Sequence, residues 1–447
     1  MKTVIKAGKI VNCDGILENG YVAVDSDKIV YVGKENPCGS CDSLIDAADM
    51  IVFPGGIDPH VHMNDPGDTE SEDFGTGTAG AIAGGTTTLL EMPQTVPLVA
   101  DEKSFAEKKA EIAPKALANF GLWAAATPQN MYALSALDDM GAIGFKSFLS
   151  HSGYCPKVNL GQLYEIMQSV RAMDSVLGVH CENEDIADAL RKSLPAESED
   201  NRIEFAAERG PVVETVAALG ALKLAQETKV KLNLLHTSVP EVAEAAFALK
   251  KEGCPVAVET APHYLLLDKT ALEKYGAYAK CAPALRDRTL VEELWIKLRE
   301  KKIDFLGSDH CNYTWEEKMG RGFWKAPNGI TGVQTMIPAF YDSFVAERGG
   351  SLCDFAALTS RNAALRFGLL GKGYIGAGFD ADLFILDPAG SWTVKAEDLF
   401  YKVKWSPYEG RRFRGRVVLT MVNGKIAYRQ GEITAEPGSG RFLSRCQ

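Results

Sequence analysis

Positive charge is in short supply in this 447-residue chain, and so is histidine. There are 48 Lys and Arg against 59 Asp and Glu, a formal net charge of -11, and only seven histidines. A nucleic-acid binder needs a basic patch, and this balance argues against one. No apolar run reaches ~18 residues, so no segment is expected to span a membrane. The opening Met1-Lys-Thr-Val-Ile-Lys-Ala-Gly-Lys lacks the unbroken apolar core of a signal peptide, and the expectation is a cytoplasmic protein. The ten cysteines show no framework spacing. Many lie inside apolar runs, which points to free buried thiols in a reducing compartment. Cys38-Gly-Ser-Cys41 has redox or zinc spacing, but no second pair and no helix pattern follow it. A surface turn is the simpler reading, a functional dithiol the other. There is no sequence repeat and no low-complexity linker.

What is present is ordinary for a globular protein, with 46% hydrophobic and 24% charged residues. The length suits one large domain with a smaller one. Residues 1–50 read as short β-strands divided by Asp, Gly and Asn. From residue 51 the texture changes. Strand candidates at 56–62, 86–92, 119–125, 143–149, 176–180, 231–236, 256–260 and 303–309 alternate with helical stretches such as 101–112, 160–173, 212–228, 240–251, 288–301 and 332–346. Eight alternations predict an α/β fold: a (β/α)8 barrel of parallel strands with helices outside. Beyond about residue 375 the β texture returns, with Asn423-Gly424 as a hairpin turn. The expected organisation is a barrel over 51–375 and a small β-sandwich built from 1–50 and 376–447.

In such barrels chemistry gathers at the carboxyl ends of the strands. His60 and His62 end the first candidate strand. One residue apart in a strand, they share a face and invite a divalent metal such as zinc. Lys146 lies on the fourth strand, His180 on the fifth, His236 on the sixth and Asp309 on the eighth. A bare ammonium would repel a cation. A lysine carboxylated by CO2 would instead be an anionic ligand able to bridge two metals. The alternative is a buried lysine paired with an acid.

The whole set resembles the amidohydrolase superfamily, and within it the cyclic amidohydrolases: allantoinase, hydantoinase or dihydropyrimidinase, and dihydroorotase. The resemblance runs from Pro54-Gly-Gly-Ile-Asp-Pro-His-Val-His through Gly84-Gly-Thr-Thr-Thr and Glu91-Met-Pro to Gly307-Ser-Asp-His310 and Gly378-Phe-Asp-Ala-Asp-Leu. It implies two Zn2+ per subunit, or another divalent metal. His60, His62 and Asp309 would hold one ion, His180 and His236 the other, and N6-carboxylysine 146 would bridge them. A hydroxide shared by the two ions would attack the ring amide of a cyclic ureide. Asp309 would be the catalytic proton carrier. His310 would orient Asp309 or simply pack. His263, in Ala261-Pro-His-Tyr264, would be structural or support the site. The family also implies a homo-oligomer, commonly a tetramer, acting on a small molecule.

The substrate is expected to be allantoin, opened to allantoate. Asn64 stands where similar dihydroorotases place a carboxylate-gripping arginine, so the bidentate fork is missing. His151 stands where D-hydantoinases and dihydropyrimidinases carry a tyrosine; a substrate contact and a solvated loop residue are both open for it. Lys146-Ser-Phe-Leu-Ser-His-Ser-Gly, Asn64-Asp-Pro-Gly and the tail Asp398-Leu-Phe-Tyr-Lys-Val-Lys-Trp-Ser-Pro-Tyr-Glu-Gly are most similar to allantoinase. Ala282 replaces a serine common in allantoinases and D-hydantoinases. Ala326-Pro-Asn-Gly329 is more similar to the hydantoinase loop, which makes an L-type hydantoinase or dihydropyrimidinase the alternative. There Asn328 would contact the substrate or merely turn the chain. A non-catalytic relative would have lost ligand positions, and all six are filled. A related deaminase would lack Lys146.

Overall fold

The computed structural model describes residues 2–37, 41–153 and 155–445. Cys38, half of the dithiol spacing, lies outside the described residues. Cys41 is disulfide-bonded, while Cys13, Cys155, Cys181, Cys254, Cys281, Cys311 and Cys353 are free thiols, as the apolar settings of most of them led us to expect.

Four strands open the chain: β1 (Lys2–Asn12), β2 (Gly15–Asp25), β3 (Lys28–Gly33) and β4 (Ser43–Pro54). The barrel strands follow: β5 (Gly56–His62), β6 (Thr86–Glu91), β7 (Asn119–Ala125), β8 (Gly144–Phe148), β9 (Val176–His180), β10 (Lys231–Leu234), β11 (Val256–Thr260), β12 (Phe305–Leu306) and β13 (His310–Cys311). Last come β14 (Leu383–Thr393), β15 (Arg412–Val422), β16 (Lys425–Arg429) and β17 (Glu432–Ile433).

The barrel sheet is parallel, in the order β12-β11-β10-β9-β8-β7-β6-β5-β13. Its two outermost pieces are one interrupted strand. β12 pairs with β11, and β13, three residues on, pairs with β5. The eighth strand therefore joins both edges, and the eight-stranded barrel closes as the alternation of strand and helix signals predicts. Apolar side chains fill its floor. Ile57, Leu90, Trp123, Ile143, Val176, Ala257 and Phe305 pack there with Ala363, Ala364 and Phe367. Trp123 is fully buried and donates its Nε1–H to the Pro59 carbonyl at 3.1 Å.

Local signals explain most of the helix starts. Asn159 and Asp101 cap the helices Leu160–Ala172 and Glu102–Ile112 with reciprocal capping boxes. Pro211 and Pro240 occupy the first turns of Pro211–Thr228 and Pro240–Lys251, where their missing N–H has no cost. The expected helix over 332–346 differs. It begins at Met336, runs as α-helix to Phe340, and widens to a π-turn over Tyr341–Glu347. Pro338 lies within it and has no N–H to give the preceding turn.

The second sheet draws on both ends of the chain, in the order β17-β16-β15-β14-β4-β1-β2-β3. β14 runs antiparallel to β4, with Phe384 opposite Phe53. Ile5, Val22, Val24 and Val52 from the first part share one core with Leu383, Ile385, Leu419 and Met421 from the last. Among the described residues no helix is long and apolar enough to cross a membrane.

Candidate active site

His60, His62, Asn64, Lys146, His151, His180, His236, Asp309 and Asn328 line one cavity of about 620 Å³ at the carboxyl ends of the barrel strands. Each of the polar groups singled out as a ligand or substrate contact thus reaches one space, though they are drawn from six separate stretches of sequence.

Strand alternation turns His60 and His62 to the same side of β5, with ring centroids 5.3 Å apart. Asp309 sits in the gap of the eighth strand. Its Oδ1 lies 3.3 Å from His60 Nε2 and 3.6 Å from His62 Nε2. Ligand atoms of these three residues all fall within 4.8 Å of one another, the geometry of a metal-binding group. On the far side His180 Nδ1 faces His236 Nε2 at 2.9 Å. The two halves touch, with the His60 and His236 rings 5.3 Å apart.

The backbone is bent to deliver these groups. Asn64, His236 and Asp309 have φ of 55°, 39° and 48°, a region that non-glycine residues rarely adopt. Such conformations persist where the surroundings over-determine them, commonly at functional sites. Next to Asp309, Gly307 is required by space. A Cβ there would come within 2.9 Å of His60 Cβ and of Glu259 Cδ.

Lys146 is 1% exposed, and among the described residues no carboxylate forms an ion pair with it. Its Nζ lies 4.6 Å from the centre of the Phe148 ring. Burial pulls its amine down to about 8, against the opposing pull of Asp309 and Glu259. Burial likewise holds His60 at about 3, with Lys146 adding to the effect, and His62 at about 4. These rings are neutral near pH 7, the form that ligates metals. Burial by itself raises the Asp309 carboxyl. The neighbouring His60 and the hydrogen bond from His62 overcome this and hold it well below the usual carboxylate range.

Sequence reasoning missed two carboxylates that orient these rings. Glu259 Oε1 accepts from His60 Nδ1 at 2.7 Å and from the His236 backbone N–H at 3.1 Å. Glu182 Oε2 accepts from His180 Nε2 at 2.9 Å and from Arg209 at 2.7 Å. Each fixes a tautomer that leaves the other ring nitrogen free to face the cavity. Glu182 stands two residues after His180, and Glu259 is an acid inside an apolar parallel strand. Both patterns were visible in the sequence.

Other histidines lie differently. His310 turns away, its Nδ1 accepting from the Gly332 N–H at 3.0 Å and its ring packing on Tyr401. That is a packing role; it does not orient Asp309. His263 is buried against Tyr264. His151 is at the rim. Its side chain is 76% exposed and bonds Glu184 at 2.7 Å. Asn64 Nδ2 lies 3.4 Å from Ser71 Oγ and 3.3 Å from the Asn312 carbonyl, so its amide is held from behind.

The residues fit a pair of divalent cations. One group of His, His and Asp donors and one facing pair of ring nitrogens flank a buried lysine that, among the described residues, has no carboxylate in ion-pair contact.

Residues 51–427 match the Amidohydrolase family, and the chain belongs to it. Within that family it is a cyclic amidohydrolase, a hydrolase of cyclic amide C–N bonds. Among its relatives, an allantoinase of Rubrobacter xylanophilus is 37% identical over 98% of this chain and 97% of its own. The L-hydantoinase (dihydropyrimidinase) from Arthrobacter aurescens superposes with a TM-score of 0.94 at 34% identity, covering 99% of both chains. The dihydropyrimidinase from Brevibacillus agri gives 0.92 at 28% identity, over 100% of this chain and 99% of that one.

Proposed function

We propose that this protein opens the ring amide of allantoin to give allantoate, using two zinc ions and a carboxylated Lys146. The observation that carries the reading is Lys146 itself. It is buried on the cavity wall among four histidines and Asp309, and among the described residues no carboxylate is in ion-pair contact with it. Carbamate formation needs a neutral amine, and burial, by pulling the Lys146 amine down to about 8, enlarges the neutral fraction present at physiological pH. The nitrogen attacks CO2 and releases one proton, and the resulting carbamate would be an anionic donor for the two cations.

When bound, two cations would acidify a water and polarise the ring carbonyl. The chain's own residues do the rest. Glu259 and Glu182 hold the His60 and His180 rings with their ligating nitrogens inward. The Asp309 carboxylate, kept ionised at neutral pH, takes the proton of the attacking water. It then delivers that proton to the ring nitrogen as the C–N bond breaks. Asn64 and Asn328 border the ureide, and His151 guards the entrance.

The same reading assigns residues 51–375 to the barrel domain and residues 1–50 with 376–447 to the β-domain. It takes the working form to be a cytoplasmic homo-tetramer. Hydantoin hydrolysis of the L-type is the second reading, favoured by Ala326-Pro-Asn-Gly329 and by the similarity to the Arthrobacter aurescens enzyme. Ring-opening assays of zinc-loaded protein on allantoin, hydantoins, dihydrouracil and dihydroorotate decide between them. Allantoin should have the highest kcat/KM; preference for a 5-substituted hydantoin would replace allantoin as the substrate.

A further inference from the structure

We propose that Lys318, acting with Lys280, is the positioning residue of the substrate loop, clamping the corner Pro327-Asn328-Gly329 against the cavity wall. The proposal rests on the reading above, in that Asn328 and Gly329 are taken to border the substrate.

Lys318 is fully buried on the π-turn Glu316–Gly320. Its Nζ donates to the Pro327 carbonyl at 2.8 Å and to the Lys280 carbonyl at 3.3 Å. Lys280, 4% exposed, donates its own Nζ to the carbonyls of Phe323 and Trp324 at 3.0 Å and of Ala326 at 2.8 Å. The Gly329 N–H returns to the Lys280 carbonyl at 2.8 Å. Two ammonium groups thus grip successive carbonyls of one loop, and the residues just beyond the last grip face the cavity.

Aromatic rings complete the housing. Tyr313 and Trp405 flank Lys318 at 5.5 and 5.6 Å, and Phe205 and Phe323 flank Lys280 at 5.0 and 5.2 Å. Among the described residues neither ammonium has a carboxylate in ion-pair contact. Burying an unpaired charge is costly, and neutral donors would suffice merely to close a loop. The lysine amines reach several carbonyls at once, which a single neutral donor could not, and this fixes the corner.

The groups facing Lys318 are Cys311, Cys281, Lys280 and Glu317. The Glu317 carboxylate is already taken by the backbone N–H and hydroxyl of Thr314, at 2.8 and 2.9 Å. Burial pulls the Lys318 amine down to about 7 and the Lys280 amine to about 8. Burial disfavours the charged amine, so the released loop binds the Lys318 proton more tightly than the clamped one. The clamped state is therefore favoured as pH rises above about 7, and substrate affinity should rise with it.

The test uses zinc-loaded full-length protein and the Lys318→Met variant. Steady-state ring opening is followed from about pH 6 to about pH 9 alongside hydrogen exchange of residues 316–329 and metal content. In the wild type, KM should fall and loop exchange, corrected for the intrinsic rate, should slow as pH passes about 7; this arm needs no variant to fold. In Lys318→Met, KM should be raised about tenfold at about pH 9 and no longer vary with pH, the loss expected of one buried hydrogen bond. Its kcat and metal content should stay close to wild type. A variant KM within twofold of wild type at about pH 9, or wild-type loop exchange that ignores pH, overturns the clamp. Should the wild type open no cyclic ureide, the functional reading fails instead, and loop exchange alone still decides whether the clamp exists.

Discussion

Lys146 and Glu259 show how much a single side chain decides here. In the apolar setting Gly144-Phe-Lys-Ser-Phe an unpaired amine is a liability unless it is converted to something else. Replacing it with alanine should reduce turnover by about a thousandfold or more and cut the bound zinc, because the shared anionic ligand disappears. Adding a short-chain carboxylic acid to Lys146→Ala should restore part of the activity; wild-type turnover in the untreated variant would refute the bridge. Glu259 ties the His60 ring to the His236 backbone. Glu259→Gln should weaken zinc binding by about 10–100-fold, read by competition with a chromogenic chelator. The histidines were legible in the sequence because histidine is sparse and each ended an apolar run. Glu259 and Glu182 left a weaker trace, an acid inside an apolar strand and an acid two residues after His180, and only their pairing in space gives these a meaning. His310 had two roles open, orienting Asp309 or packing, and sequence adjacency could not choose between them; the bond from the Gly332 N–H and the contact with Tyr401 favour packing.

Among elements, β14 and β7 meet at a buried polar seam. Asp382, just before β14, accepts from Lys372 at 2.5 Å and from Asn119 Nδ2 of β7 at 2.9 Å. Both members of the ion pair are almost completely buried. Lys372→Ala would strand the Asp382 charge and should cost about 3 kcal/mol in a denaturant titration, near the lower end for a broken buried pair. A loss below about 1 kcal/mol would mean that Asn119 and the Asn423 N–H alone satisfy the carboxylate. The elements themselves were largely readable. Strands such as 119–125 and 256–260 stand at the expected residues, since short apolar runs, aromatic in the first and β-branched in the second, leave little choice when flanked by helical segments. The interruption at Gly307–Asp309 was not readable. It depends on two neighbours, β11 and β5, lying at opposite edges of the sheet.

For the whole molecule, bound zinc should act as a fold stabiliser. A ligand that binds only the native state at ~100 times its Kd adds ~2.7 kcal/mol. Chelator-treated protein should therefore melt several degrees lower than the zinc-loaded form and recover when zinc is returned. An unchanged melting curve, with metal removal verified by elemental analysis, would show that the donor cluster is preformed without it. That the two chain ends would join was foreseeable from the matching β texture. The pairing of β4 with both β1 and β14 was not, because nothing in a linear pattern says which edges meet.

That pairing has a consequence for how the protein is made. On the ribosome β4 is translated early, yet the strand that covers its other edge is β14, which emerges only after the whole barrel. At ~5–20 residues per second the wait is on the order of tens of seconds. Through that interval the newborn chain carries an apolar, unpaired ribbon, and this is the stretch a chaperone would be expected to shield.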